Sequence, residues 1–340
     1  IIILLLLFLC GSYFFYYSHG EYLNSLTSNQ LPKGYLFYSD SNSIRAIKIF
    51  TLYNRNKKDI AGLDDLLIIY SQKTSPLTTI NSIYYPNVNT NNAYLCFTEG
   101  NNLKTSSLQI LNLSTKKRLI SIDSSPGMCI ANPSISNHDL TIAYYLTSSL
   151  EPENSRNTLV IQDLTHHTKQ TLSETNYLNV RPSWSPDDLY LAITQKDISG
   201  NSALKKEDTS IWVISRDGQK RWKIGLGYSP TWSHDGKKIY CYLNEKNIIS
   251  YILDKDYHAI KYFKIYTSFR PMNIEYPPIV DETDRFIFFY MAGSPWNINA
   301  WANSSNEFHY LMLYDMQSDT AIPLLQDYFP YYGFSYSLSE

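Results

Sequence analysis

The chain has 340 residues, a formal net charge of −2 at pH 7 and a hydrophobic fraction of 44%. This length and apolar content suit one large all-β domain or two ordinary domains, and they exclude wholesale disorder. A net charge near zero, with the basic residues in short scattered clusters, argues against a nucleic-acid partner. The 30 tyrosines favour strands, because aromatic side chains pack well on a pleated, half-buried surface.

The chain begins with an almost entirely apolar, uncharged segment, residues 1–17 (IIILLLLFLCGSYFFYY). Such a segment suits the apolar region of a secretory signal and approaches the length that spans a bilayer. Three alternatives stay open: an uncleaved signal anchor, which we prefer, a lipoprotein signal with Cys10 as the lipidated residue, and a simple cleaved signal. We predict a hydrophobic signal anchor or signal peptide over residues 1–18 and a linker over residues 19–33.

The first strands after the linker form an incomplete unit. YLFYSD (35–40) has the character of a second strand with nothing before it, SIRAIKI (43–49) follows as a third strand, and DLLIIYS (65–71) as a fourth. The C-terminal tail GFSYSLSE (333–340) has the character of a first strand and turn with nothing after it. We therefore expect the tail to pair with the start of the domain, which removes exposed sheet edges.

Between these ends, the chain repeats a pattern at a nearly constant interval. RPSWSPDDLYLAITQ (181–195) and SPTWSHDGKKIYCYL (229–243) are visibly alike, and their tryptophans, Trp184 and Trp232, are 48 residues apart. The same interval marks weaker copies on both sides. The steps between the marking prolines are 47, 49, 48 and 48 residues, from Pro86 through Pro133, Pro182 and Pro230 to Pro278. A regular step of this size indicates a repeat protein.

Each repeat predicts four short antiparallel strands. A strand at Pro-x-(aromatic or aliphatic) leads into a polar turn, and a short apolar strand follows, as over 190–194 and 238–242. A third and a fourth strand complete the unit, as over 107–113 and 117–122. Four such strands in about 48 residues are typical of one propeller blade. The fold predicted for residues 34–340 is therefore an all-β, six-bladed β-propeller of four-stranded antiparallel blades, its ring closed by pairing of the N- and C-terminal strands.

The repeat pattern also resembles a known family. Pro-x-Trp-Ser-x-Asp-Gly-x-x-(Ile/Leu), at residues 182–191 and 230–239, is similar to the WD40-like repeats of TolB-type propellers, a pattern that also occurs in propellers of prolyl oligopeptidase and dipeptidyl peptidase relatives. Asp188 stands where the other strong repeat has Gly236. The tryptophan is replaced elsewhere by Val88, Ile135, Val280 and Tyr336. The resemblance covers roughly residues 34–340, the propeller portion only, and implies protein–protein contact at a bacterial envelope.

Residues that could carry chemistry are scattered along the chain. No G-x-S-x-G elbow is present, and the four cysteines show no metal-ligand spacing. His138 and His234, expected at equivalent turn positions, could form a paired site, and acidic turn residues could bind calcium. Short polar side chains in turns more often accept backbone N–H bonds. We therefore predict no catalytic, cofactor-binding or metal-binding residues and no cofactor, and we place Trp184 and Trp232 in the core between blades.

One insertion stands out as a candidate binding loop. Residues 291–309 (MAGSPWNINAWANSSNEFH) lengthen the last full repeat between its second and third strands. Aromatic anchors among adaptable polar neighbours suit a protein or glycan surface, although such a loop could also fold back over its own tryptophans. The candidate binding residues are Trp296, Asn297, Trp301, Asn303 and Phe308.

These observations predict a non-enzymatic binding scaffold outside the cytoplasm. It would be held at a membrane through residues 1–17, facing the periplasm or the extracellular side, with a protein partner and with glycans or peptides as further candidates. Two alternatives stay open: a propeller enzyme that acts on glycans or peptides through its central channel, and a peptidase-type propeller that lacks its hydrolase domain. Inward His, Asp or Glu side chains from several blades would favour the enzyme.

Overall fold

The computed structural model describes residues 32, 35–40, 43–48, 67–71, 82–89, 93–101, 105–148, 157–172, 180–196, 209–267, 276–292, 309–327 and 334–337. Every helix or strand element in these ranges is a β-strand. This all-β character agrees with the sequence, in which short runs rich in valine, isoleucine and aromatic residues alternate with Asp, Gly, Pro and Ser turns.

The strands are numbered in chain order and grouped into sheets. Sheet 1 contains β1 (Tyr35–Asp40), β2 (Ser43–Lys48), β3 (Leu67–Ser71) and β24 (Phe334–Ser337). Sheet 2 contains β4 (Ser82–Val88), β5 (Tyr94–Asn101), β6 (Thr105–Asn112) and β7 (Lys117–Asp123). Sheet 3 contains β8 (Cys129–Ile135), β9 (Thr141–Thr147), β10 (Asn157–Asp163) and β11 (Thr168–Leu172).

The remaining strands continue the same order. Sheet 4 contains β12 (Ser183–Trp184), β13 (Tyr190–Lys196), β14 (Thr209–Ser215) and β15 (Arg221–Leu226). Sheet 5 contains β16 (Tyr228–Trp232), β17 (Lys238–Asn244), β18 (Asn247–Leu253) and β19 (Ala259–Thr267). Sheet 6 contains β20 (Ile279–Val280), β21 (Phe286–Ala292), β22 (His309–Asp315) and β23 (Thr320–Asp327).

The described strands thus form six sheets of four strands each, all antiparallel between neighbours. Sheets 2 to 6 are simple meanders, in which each strand pairs with the next one along the chain. In sheet 1, Tyr35–Tyr38 pair in register with Ser337–Phe334, so the two ends of the domain lie in one sheet. This is the β-propeller architecture of four-stranded antiparallel blades that the repeat predicted, and the predicted strands agree with the observed bounds to within a few residues.

Hydrophobic clusters hold consecutive sheets together. In the described chain, five clusters each combine buried residues of two sheets that follow one another, from the pair of sheets 1 and 2 to the pair of sheets 5 and 6. Trp184 lies in the cluster between sheets 3 and 4, and Trp232 in the cluster between sheets 4 and 5. Both tryptophans are buried, which confirms their predicted place in the core between blades.

The first strand of several sheets is bulged at its proline. Tyr85, Asn132 and Ser229, each of which precedes a proline, have φ angles of 56°, 48° and 55°. At each of these sites the pairing register with the second strand shifts. A bulge of this kind re-aims side chains at the inner edge of a sheet, and it explains why the proline recurs at the marking position of the repeat.

Candidate functional site

The candidate site lies on one face of the propeller, which the meander order defines. In a four-stranded meander, the turns that join strand one to strand two and strand three to strand four lie at the same end of the sheet. We call this side the turn face. The loops between second and third strands lie at the opposite end, where Ala292 pairs with His309 at the two ends of the predicted binding loop.

The turn between first and second strands has the same geometry in successive sheets. The N–H of its first residue bonds to the carbonyl of its sixth, as for Ser185 to Tyr190 and Ser233 to Lys238, both at 2.9 Å. In sheets 4 to 6 the fourth residue is left-handed, with φ of 57° at Asp188, 70° at Gly236 and 55° at Asp284. Glycine, Asp and Asn tolerate this conformation best, so Asp188 replaces glycine without changing the turn.

Asp188 links the turns of two neighbouring sheets. One carboxylate oxygen accepts bonds from the backbone N–H and the side-chain amide of Asn137, both at 2.8 Å. The other oxygen accepts the backbone N–H of His138 at 2.7 Å and lies 3.0 Å from its ring Nδ1. Charge-assisted bonds of this kind are stronger than neutral ones. We call this arrangement the Asp188 latch.

The turn hydrogen bonds also correct the expected pairing of the histidines. Ser136 begins the turn in sheet 3 and Ser233 begins it in sheet 5, so His138 is the third residue of its turn and His234 the second. The two residues are therefore not equivalent. Asp187, Asp235 and Asp281 bond to hydroxyl and backbone groups of their own turns, as Asp187 does to Ser185 and Leu189. No group of three or more His, Cys, Asp or Glu in the described ranges could hold a metal ion.

Arg216, in the turn between the third and fourth strands of sheet 4, reaches back to sheet 3. Its Nη1 donates to Asp139 Oδ2 at 2.7 Å, and its Nη2 donates to Thr141 Oγ1 and lies 3.4 Å from Asp163 Oδ2. The guanidinium also lies 5.9 Å from the centre of the Trp184 ring. Arg216 therefore fixes the turns of the two sheets to each other and covers the inter-sheet tryptophan.

The carboxylates around Arg216 are ionised. Burial opposes the charge on Asp139, but hydrogen bonds from Ser136, Arg216 and Thr141 outweigh it and lower the pKa of this carboxyl. Burial likewise opposes the charge on Asp163, while bonds from the ring and backbone of His166 lower its pKa. The ion pairs are thus complete at neutral pH.

Beside Arg216, sheets 3 and 4 leave an open groove of about 580 Å³ on the turn face. We call it the turn-face groove. Lys169 on one wall and Lys220 on the other are exposed. Leu189 is 56% exposed at its rim. Gln170 donates to the carbonyl of Asp217 and so ties the two walls together. The groove offers two exposed lysines, the exposed Asp217 and an apolar residue on a cross-linked frame, as suits a charged and partly apolar segment of another molecule.

Serine–aspartate pairs near the groove resemble catalytic pairs but are parts of turns. Ser215 Oγ donates to Asp217 and accepts the N–H of Lys220 at 2.9 Å. The same bonds recur in the first-to-second-strand turn of sheet 5, where Ser233 Oγ donates to Asp235 at 2.7 Å and accepts the N–H of Lys238 at 2.9 Å. A pair that recurs in different turns serves the turn itself.

At the inner edge of the sheets lies a buried arginine that the sequence did not single out. Arg181, just before β12, donates from Nη1 to the carbonyl oxygen of Pro86 at 3.2 Å. Pro86 belongs to sheet 2, so this bond spans sheet 3 and joins sheets that do not follow one another. Burial lowers the pKa of Arg181 to about 10, which leaves it charged at neutral pH. The Arg181 side chain therefore links the first strands of sheets 2 and 4.

The other predicted site residues lie outside the described residues. These are Cys10 and the loop residues Trp296, Asn297, Trp301, Asn303 and Phe308. The predicted leader, residues 1–18, also lies outside them. In the part of the chain that the structure describes, no helix is long and apolar enough to cross a membrane.

The turn-face groove was missed because its parts are far apart in the sequence. Arg216 and Asp139 are separated by 77 residues, and Lys169 and Lys220 belong to different repeats. The sequence does contain one signal. Asp188 stands where the other strong repeat has Gly236, and a side chain at this position faces the turn of the preceding sheet. The side chain that replaces this glycine forms the latch next to the groove.

No protein-family profile and no curated protein sequence matches the chain. Solved structures do match. TolB from Acinetobacter baumannii is 13% identical, with a TM-score of 0.60 over 90% of this chain and 67% of that one. A putative TolB from Agrobacterium tumefaciens is 14% identical, with a TM-score of 0.53 over 85% of this chain and 90% of that one.

An enzyme has a similar fold. An oligogalacturonate lyase in complex with manganese is 12% identical, with a TM-score of 0.51 over 84% of this chain and 70% of that one. At these identities the likeness establishes the β-propeller fold, which supports many unrelated functions. The function must therefore be argued from the surfaces of this chain.

Proposed function

We propose that this chain is a non-enzymatic protein-binding scaffold that works outside the cytoplasm. On this proposal, residues 34–340 form a closed six-bladed ring, and residues 1–17 hold it at a membrane with the ring facing the periplasm or the extracellular side. The pairing of β24 with β1 supports closure, because it joins both ends of the domain in one sheet. The apolar, uncharged leader supports the membrane attachment.

The observation that carries the proposal is the turn-face groove. Its walls come from two sheets that are fixed to each other by the Asp188 latch and by Arg216. A partner that binds there meets a pre-formed surface, so little ordering free energy is lost on association. Lys169, Lys220 and Leu189 are exposed and free to meet carboxylates and an apolar side chain of the partner.

The groove also favours binding over catalysis. Several polar groups of the groove are engaged in structural bonds: Asp163 with Arg216 and His166, Thr141 with Arg216, and Ser215 with Asp217. A catalytic site needs a nucleophile and a base poised towards a substrate. The exposed lysines are groups suited to recognition.

The insertion at residues 291–309 remains a second proposed contact. Its tryptophans, Trp296 and Trp301, are residue types that dominate binding energies in protein interfaces. It leaves sheet 6 from the side opposite the turn face. The two proposed surfaces are therefore distinguishable by mutation.

The test is affinity capture from solubilised membranes with the intact chain as bait. Two variants carry matched charge changes: Lys169→Glu with Lys220→Glu in the groove, and Lys116→Glu with Lys117→Glu in an exposed turn of sheet 2. A third variant replaces residues 293–307 with a short Gly-Ser linker.

We expect the intact chain and the sheet 2 variant to retain the same partner, and the groove variant to lose at least about 90% of it, since two attractions become repulsions. Loss only in the linker variant would assign binding to the loop instead of the groove. Equal capture by all four proteins, or none by any, would contradict the proposed function.

A further inference from the structure

The outer strand of sheet 5 differs from the other described outer strands. β19 is nine residues long, and Ile260, Tyr262 and Phe263 on it are 67%, 60% and 40% exposed. These are half of the large apolar side chains that are exposed in the described chain; the others are Leu119, Leu189 and Leu226. Tyr262 and Phe263 are consecutive, so exposed rings lie on both faces of this strand. Single exposed apolar residues are ordinary, whereas several on one strand mark an interaction surface.

The apolar group continues onto the neighbouring sheet. Tyr262 pairs with Tyr251 across the two outer strands of sheet 5, with ring centroids 6.0 Å apart. Tyr251 in turn donates from its hydroxyl to the carbonyl of Leu226 at 2.7 Å. Leu226 ends the outer strand of sheet 4 and is 50% exposed. The exposed side chains of Leu226, Ile260, Tyr262 and Phe263 are called the rim patch.

The rim patch is basic. β19 carries Lys261 and Lys264 and has no acidic residue between Ala259 and Thr267. Lys261 lies 4.4 Å from the centre of the Phe263 ring, and Lys223 is exposed on the outer strand of sheet 4. Cations interleaved with exposed aromatic rings would repel a basic partner and attract an acidic one.

The backbone of β19 is also open to pairing. In the sheets as described, β19 has a hydrogen-bonded neighbour, β18, on one side only. Residues 261–264 pair with Ile252, Tyr251, Ser250 and Ile249 without interruption, between two register shifts. A regular edge segment presents unpaired N–H and C=O groups, to which an extended chain adds as a further strand.

We propose that the rim patch binds an acidic, extended segment of a partner protein, which adds to β19 as a fifth strand. Side chains alternate along a strand, so the added segment places one row beside Tyr262 and Lys264 and the other beside Lys261 and Phe263. Carboxylates of the segment meet the lysines, and apolar side chains cover the rings. This site is separate from the turn-face groove, and its failure leaves the proposed function standing.

The test measures binding of fluorescent eight-residue peptides to the full chain by anisotropy. The first peptide alternates valine and glutamate, the second has lysine in place of glutamate, and the third is the first with every second amide N-methylated. Amide hydrogen exchange of residues 259–267 locates the binding. The protein variants are Lys261→Glu with Lys264→Glu, and the matched Lys116→Glu with Lys117→Glu.

We expect the acidic peptide to bind at least about tenfold more tightly than the basic and N-methylated peptides, and to slow exchange within β19. The rim variant should lose at least about tenfold in affinity, while the matched variant should keep it. Three peptide results would each overturn the proposal: no binding of the acidic peptide at millimolar concentration, equal binding of the N-methylated peptide, or unchanged affinity in the rim variant. The chain is also mixed with vesicles of equal phosphatidylglycerol and phosphatidylcholine, and binding to these vesicles without binding to the acidic peptide would overturn it as well. The melting temperature of each variant confirms that it folds.

Discussion

Two neighbouring interfaces of this propeller are built on one repeat but are closed in different ways. Between sheets 3 and 4 the turns are joined by charges: Asp188 holds Asn137 and His138, and Arg216 holds Asp139. Between sheets 4 and 5 the turns are joined by aromatic rings. There, Tyr257 lies 4.6 Å from the Tyr190 ring centre and at 88° to the Trp232 ring, and its hydroxyl donates to Asp187 at 2.9 Å.

The difference follows from two positions of the turn. The latch needs an acid at the fourth position of one turn and a backbone N–H at the second position of the preceding turn. Asp188 meets Asn137 in this way, and at the next interface burial raises the pKa of Asp284 while the backbone N–H of His234 lowers it. Between sheets 4 and 5 the second residue is Pro186, which has no N–H, and the fourth is Gly236. Donor and acceptor are thus missing together, and aromatic packing takes their place.

The largest expected effect is the loss of the inter-sheet tryptophans. Trp184→Ala and Trp232→Ala should each reduce the free energy of unfolding by about 3–5 kcal/mol, because a large buried side chain leaves a cavity. The phenylalanine variants isolate the hydrogen bond of each indole. Trp184 Nε1 donates to Ser134 O at 3.0 Å, whereas Trp232 Nε1 has no partner among the described residues. Trp184→Phe should therefore cost about 1 kcal/mol more than Trp232→Phe in urea unfolding. Equal costs would contradict the polar role of Trp184.

The next effect compares the two latches. Asp188→Asn should reduce the free energy of unfolding by about 2 kcal/mol. The amide nitrogen of asparagine would replace one carboxylate oxygen, and it cannot accept hydrogen bonds from the N–H groups of Asn137 or His138. Asp284→Asn should change stability by less than about 1 kcal/mol. Burial opposes the charge on Asp284 and raises its pKa, so a neutral amide is a milder replacement there than at Asp188. Chemical denaturation at pH 7 measures both, and a larger loss for Asp284→Asn would contradict the account of the latch.

The requirement for an N–H at the second turn position and an acid at the fourth can be tested by building a latch between sheets 4 and 5. A Cβ at Gly236 would lie 3.6 Å from Pro186 Cδ, an ordinary contact, so an aspartate fits there. Pro186→Asn combined with Gly236→Asp should show a favourable coupling of about 1 kcal/mol in a double-mutant cycle, because only the double variant has donor and acceptor. Additive single effects would show that these two positions do not control the interface.

The smallest expected effect is on pH dependence. The pKa of Asp139 is lowered in the folded state, so its contribution to stability is present above the unfolded pKa and is lost as pH falls through the folded one. Asp139→Asn should therefore remove about 0.5–1 kcal/mol at pH 7, a small value because the pair is partly exposed, and nearly nothing near pH 2. Urea unfolding at both pH values checks this. An equal loss at both would mean that the charge on Asp139 is not what matters.

The sequence predicted the framework of the fold well, because the framework is periodic. The step between prolines located the sheets, the tryptophans located two inter-sheet clusters, and the lone strands at both ends predicted the pairing of β24 with β1. Local patterns carry this information, since each strand and turn is specified by neighbouring residues.

The site could not be predicted in the same way. Arg216 resembles any turn arginine until the fold brings Asp139 to it from another repeat, and Arg181 gives no sign in the sequence that it crosses to Pro86. The exposure of the rim patch was equally hidden, because KYFKIY resembles any strand. Long-range packing decides which of its faces is left uncovered.

The most direct test of the binding-scaffold account is photo-crosslinking in membranes that contain the full chain. A photoreactive residue replaces Leu189 at the groove, and, as the control, Leu119 on sheet 2, which is 47% exposed against 56% for Leu189. The account predicts one protein adduct from position 189, none from position 119, and loss of the adduct when Lys169→Glu and Lys220→Glu are added. The same adducts from both positions, or none from position 189, would contradict it.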